Sequence, residues 1–162
     1  MKTKRKRTVS TRLAAQVVRR NGAPGKPTPA KLNRILALAL AATPSSRRAI
    51  LEKHKLVAVD VLLVDDAEIA KLNHVHMKHA GPTDVLSFPM GEFDPERKAF
   101  HLGEIVVSFE TARREAAARG LPFTEELTRY IVHGFLHCLG YEDGTASKAK
   151  AMRDLQERIL LG

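Results

Sequence analysis

The sequence predicts an α+β domain in which helices pack on one small mixed sheet and one helix carries a metal site ahead of a tight turn. Three observations lead there. Short alternating or branched runs, Val57 to Val64, Thr83 to Pro89 and Gly103 to Phe109, read as strands. Segments with apolar residues at helical spacing fall among them without a strict strand–helix–strand rhythm. The third is Val132 to Gly144, V-H-G-F-L-H-C-L-G-Y-E-D-G, where His133 and His137 stand four residues apart in an apolar, helix-compatible run.

Composition narrows the class. A chain of 162 residues with 44% hydrophobic content suits one domain with a real core. Trp is absent and aromatics are few, which argues against a stacking platform for bases. The lone Cys138 rules out an intramolecular disulfide and fits a reducing, cytoplasmic setting. The longest apolar run, Ile35 to Ala42, is too short to span a bilayer, so no membrane partner is expected. The basic start lacks an apolar h-region; it has some character of an organelle transit peptide, but a cytoplasmic basic extension is the better reading.

Charge is lopsided. Residues 1 to 55 hold fifteen Lys and Arg against Glu52 alone, whereas the rest holds twelve against seventeen acids. A basic arm on a mildly acidic body points to a polyanionic partner, most plausibly nucleic acid, with a merely solvated tail as the alternative.

In chain order, residues 1 to 27 read as a basic, flexible extension and 28 to 162 as the single domain. Within the extension, Thr8 to Arg20 has apolar content for a strand or a short helix, and Asn21 to Pro29 is rich in breakers. Thr28 is placed to cap a helix with Pro29 at its first position, Leu32, Ile35, Leu36 and Ala39 forming its apolar face. After the strand at Val57 to Val64, Asp65 or Asp66 caps a short helix. His74 to Pro82 reads as a polar loop. Met90 to His101 is a charged excursion, expected as a surface hairpin tip. Glu110 to Arg119 is a helix stopped by Gly120. Thr124 opens the histidine helix, and a last helix spans about Ala146 to Leu161.

On the histidine helix a spacing of four leaves the two imidazoles about 40° apart around the axis and about one turn apart along it, so both reach one point. Gly140 can end the helix with a left-handed cap, and Asp143 follows as a third ligand; Glu142 is the competing carboxylate. Three protein ligands leave a fourth position open, as in catalytic Zn²⁺ sites. The spacing overlays H-E-x-x-H-x-x-G-x-x-H of the zincin type, with Gly134 for the Glu and Asp143 for the third His. Gly134 cannot act as the proteases' base, which disfavours a standard zinc protease. Asp143 makes the site one charge less positive, predicting a shifted pH optimum or a metal other than zinc.

These residues resemble the YbeY family of bacterial rRNA-maturation endoribonucleases. Its signature H-G-x-L-H-x-x-G-Y-D-H is matched from His133 to Asp143 at all but the last two fixed positions. A second block, P-T-D-V-L-S-F-P, stands intact at Pro82 to Pro89, and a third, L-G-[DE]-I-x-[IV]-S, at Leu102 to Ser108. The closing Met152 to Gly162 is also similar; the likeness runs from Val57 to Gly162. It implies a single-domain, Zn²⁺- or other metal-dependent hydrolase. The implied substrate is single-stranded RNA, and the implied role is small-subunit rRNA 3′-end maturation and ribosome quality control. Family metal ligands carry over to His133 and His137, and to Asp143 by position. The family's Arg before the second block falls on Met77 here, leaving the adjacent Lys78 as the substitute facing the phosphate. Asp84 and Ser87, which strand packing does not require, are candidates to line the cleft and bind substrate.

Other histidines are read more plainly. His74, His76 and His79 suit a polar or RNA-facing loop better than a second metal cluster, and His54 and His101 are expected at the surface. Cys138 is expected in the core. Two other functions compete with an RNA hydrolase: a metalloprotease with an unusual base, and a ribosome assembly factor whose metal is structural.

Overall fold

The computed structural model describes residues 11–77 and 83–162. A four-stranded mixed sheet, in the order β1-β2-β4-β3, forms the centre. Its strands are β1 (Arg12–Arg19), β2 (Leu56–Val64), β3 (Val85–Asp94) and β4 (Ala99–Ser108). β1, β2 and β4 run parallel, and β3 returns antiparallel to β4 as a hairpin. Six helices join them among the described residues: α1 (Pro29–Ala42), α2 (Ser45–Arg48), α3 (Asp66–Met77), α4 (Phe109–Arg119), α5 (Phe123–Cys138) and α6 (Ala146–Leu161). This is the expected α+β class.

The main core lies between one sheet face and the helices. Val57, Val59, Val61 and Leu63 of β2 and Ile105 and Val107 of β4 meet Leu32 and Leu36 of α1 and Ile131, Phe135 and Leu136 of α5. α3 covers part of the other face, where Ile69 packs with Val64, Leu86 and Val106. Full burial of β4, apart from Glu104, follows from its central place with cover on both sides.

Capping matches the sequence closely in places. Thr28 Oγ1 accepts from Lys31 N with Pro29 at the first turn of α1. Asp65 is the cap residue of α3, accepting from Glu68 N at 2.8 Å. Gly120 ends α4 with φ +66°, as its stop position required.

Elsewhere the structure corrects the expectations. Within residues 1 to 27, the stretch left open between strand and short helix is an edge strand over Arg12–Arg19, in register with β2 from Arg12↔Leu56 to Arg19↔Leu63. Leu13 is buried there because alternate residues of a paired strand face the core. α3 continues to Met77, so His74 and His76 are helical rather than in a loop. Lys78, His79 and Pro82 lie outside the described residues. The excursion after Met90 is mostly strand, since β3 and β4 pair out to Asp94↔Ala99. α5 opens at Phe123 behind Pro122, one residue before Thr124. His54 and His101 are not free surface groups: His54 stacks on Phe100 at 4.7 Å between ring centroids, and His101 is buried beside Asp60.

Candidate metal centre

α5 is amphipathic, and its apolar stripe seats it tightly on β3 and β4. The closest approach is at Gly134, where an added Cβ would stand 2.6 Å from Ile105 Cγ2 and 3.0 Å from Ser87 Oγ. That contact fixes the helix on the sheet and turns His133 and His137 to its other flank, half-exposed. The helix then ends as its sequence indicates. Gly140, at φ +91°, donates to His137 O, and Tyr141 N donates to Leu136 O at 3.0 Å, which reverses the chain.

The reversal brings Asp143 back to the histidines. His133 Nε2 and His137 Nε2 are 3.2 Å apart, and Asp143 Oδ2 lies 3.5 and 3.4 Å from them. A tetrahedral ion with bonds of about 2.0–2.1 Å has ligand atoms about 3.3–3.4 Å apart, so the triangle has the size of one face of such a site. The donor set fits as well. His137 Nδ1 meets the Tyr141 carbonyl at 2.9 Å, an acceptor only, and so carries the proton. His133 Nδ1 meets Gln156 Oε1 at 3.0 Å, while Gln156 Nε2 donates to Glu157, which fixes the amide's orientation. Both Nε2 atoms therefore present lone pairs to one another, an arrangement that a cation between them relieves. Burial, and after it the neighbouring His137, lowers the pKa of His133 and favours the neutral, ligating form. Glu142 turns away: its side chain is 70% exposed and pairs with Lys148 at 2.7 Å.

The remaining candidates fall at different distances from this point. Asp84 is exposed, accepts from Val85 N, and its charge reaches His133. Ser87 is half-buried and faces α5 beneath Gly134 rather than an open groove. Met77 is exposed at the end of α3. Cys138 packs in the core next to Gly103, away from the ligand triangle, and burial pushes its thiol up to about 12. Sequence reasoning missed Gln156, which reaches His133 from α6, and Arg47, which donates to Gly140 O at 2.6 Å. No spacing signal could have found either. A second group, Asp60, His101 and Glu104, sits on the strands, but Arg97 holds both Asp60 oxygens at 2.8 and 3.0 Å and neutralises it.

The family model described as endoribonuclease YbeY matches residues 28–162. The chain belongs to the YbeY endoribonuclease family. A YbeY endoribonuclease of Moorella thermoacetica is 41% identical over 138 residues, covering 81% of this chain and 83% of its own. One from Aquifex aeolicus is 43% identical over 105 residues, covering 64% and 69% respectively. The solution structure of TM1509 from Thermotoga maritima aligns with a TM-score of 0.49 at 27% identity, over 91% of this chain and 86% of that one. Membership in the YbeY family makes the protein a nuclease hydrolase with RNA as its substrate. Among the described residues no helix is long and apolar enough to cross a membrane.

Proposed function

We propose that the protein is a metal-dependent, single-strand-specific endoribonuclease acting in the cytoplasm on small-subunit rRNA, in 3′-end maturation and ribosome quality control. The observation that carries the metal is the triangle of His133 Nε2, His137 Nε2 and Asp143 Oδ2, with sides of 3.2 to 3.5 Å. Zinc is the ion this donor set suits best, two neutral imidazoles and a carboxylate with one side left open. When bound, it supplies Lewis-acid polarisation of a phosphoryl oxygen and acidifies water. The chain's own part is orientation. Gln156 and the Tyr141 carbonyl hold each imidazole with its Nε2 inward, and the exposed Asp84 adds a negative charge felt at His133. Lys78, next to the position where the family carries Arg, is the proposed cation for the scissile phosphate, with the exposed Asp84 as a substrate-binding residue; Ser87, packed beneath Gly134, supports the helix instead.

Packing at Gly134 supports RNA over peptide hydrolysis. The sheet leaves no room for a protease-type Glu there, because even a Cβ would stand 2.6 Å from Ile105.

The test is metal analysis of untagged protein purified without added metal, paired with cleavage of single-stranded RNA. His133→Ala is expected to abolish both metal content and cleavage. Asp143→Ala is expected to lose most metal, and Asp143→His to retain it with cleavage restored or raised. RNA cleavage that survives His133→Ala in a nuclease-free preparation defeats the reading.

A further inference from the structure

The turn that carries the third ligand is itself poorly buried, with the Asp143 side chain 44% exposed. A ligand on such a turn is only as well placed as the turn. Two hydrogen bonds close the left-handed cap from within, Gly140 N to His137 O and Tyr141 N to Leu136 O. From outside, Lys148 of α6 pairs with the exposed Glu142 at 2.7 Å, and the remaining ties come from one short segment, Thr43 to Arg47, at the junction of α1 and α2. Arg47 donates from Nη1 to the Gly140 carbonyl at 2.6 Å, and its guanidinium lies over the Tyr141 ring at 4.8 Å from the centroid. The Tyr141 hydroxyl donates to Thr43 Oγ1 at 3.4 Å, and Thr43 is anchored on the Ala39 carbonyl at 2.9 Å. Gly140 accommodates this clamp, since a Cβ there would stand 2.8 Å from Arg47 Nη1.

We infer that Arg47 is a positioning residue for the metal site, clamping the Gly140–Asp143 turn so that the Tyr141 carbonyl stays on His137 Nδ1 and Asp143 stays facing the two imidazoles. The inference rests on the metal reading above. Arg47 contacts neither the ligand atoms nor the point between them. Its charge acts in the opposite direction to its geometry. A guanidinium beside the turn repels a dication, so by charge alone its removal tightens metal binding. Loosening on removal can come only from the turn.

The experiment is titration of the full-length, metal-stripped protein with Co²⁺, read by its visible absorption. Arg47→Met, which keeps most of the aliphatic stem, is expected to weaken Co²⁺ binding by about 10- to 100-fold, as loss of an outer partner of a ligand does, and to shift the bands. The melting temperature of the metal-stripped protein should not change. Arg48→Met is the control, because Arg48 contacts Glu52 and the Ala41 carbonyl instead of the turn; it should bind as wild type. If Arg47→Met does not fold, Arg47→Lys reads the same quantity and should bind Co²⁺ more weakly than wild type. Wild-type or tighter Co²⁺ binding in the Arg47 variant, or an equal loss in Arg48→Met, overturns the clamp. A wild-type protein that binds no Co²⁺, or His133→Ala binding it unchanged, defeats instead the metal reading on which the clamp depends.

Discussion

At Gly134 the motif and the fold ask for the same thing for different reasons. As chemistry, the missing side chain removes a protease base; as packing, it lets α5 approach the sheet, with Ile105 Cγ2 only 2.6 Å from where a Cβ would be. Gly134→Ala is therefore expected to cost about 1–3 kcal/mol from overpacking, offset in part by the better helix propensity of Ala. Urea unfolding would show it as a lower midpoint with an unchanged slope. Gln156 makes a second case. Gln156→Ala deprives His133 Nδ1 of its acceptor, and zinc affinity by competition with a chelating dye should fall about 10- to 100-fold. The two histidines were legible in the sequence because helical periodicity converts a spacing of four directly into proximity. Gln156 was not, because its position depends on how α6 packs 23 residues later. His101 failed for a related reason: its burial is set by pairing between β2 and β4, which a one-dimensional reading does not contain.

Among elements, local signals served well wherever a cap or turn decided the outcome. Thr28 with Pro29, and Gly120 and Gly140, marked helix ends where the structure has them. Strand lengths were harder, because β3 and β4 extend one another beyond their apolar stretches by pairing. Ser108 ties two helices to that sheet. It caps α4 by accepting from Thr111 N and donates to Asp66 Oδ1 at 2.5 Å, at the start of α3. Ser108→Ala is expected to cost about 0.5–2 kcal/mol for the cap, measured by chemical denaturation. Asp66 adds a pH dependence. Burial raises its pKa, but hydrogen bonds from Ser108, Arg114 and Thr111 outweigh this and hold it below the ordinary aspartate value. A depressed folded pKa gives stability that is full above the unfolded value, about 3.9, and is lost as pH falls through the folded one. Asp66→Asn should therefore be less stable than wild type near neutrality, and the gap should narrow in thermal melts below about pH 4.

Over the whole molecule, charge and topology act together. The first third of the chain carries most of the positive charge, and Arg12, Arg19, Lys31, Arg34, Arg47 and Lys55 are all exposed. RNA held by about four to six phosphate contacts should lose affinity with a log–log salt slope of about −3 to −4. Fluorescence anisotropy on labelled single-stranded RNA from low to moderate salt measures it, and a slope near zero would exclude an electrostatic track. Composition alone showed this asymmetry. It could not show that part of the basic segment is built into the sheet, because the partner of β1 lies 44 positions further along the chain.

That placement has a consequence for how the protein can be cut. β2 is an interior strand of alternating and consecutive branched residues, V-A-V-D-V-L-L-V, and β1 occupies one of its two hydrogen-bonding sides. A chain shortened to begin at residue 28 keeps the whole family match and both histidines, yet leaves that side of β2 with no neighbour. An unblunted apolar edge is a template for any other strand, including the same strand of a second molecule. The shortened protein should self-associate in a concentration-dependent way by light scattering. It should be rescued by charged residues on that edge more than by any repair at the metal site.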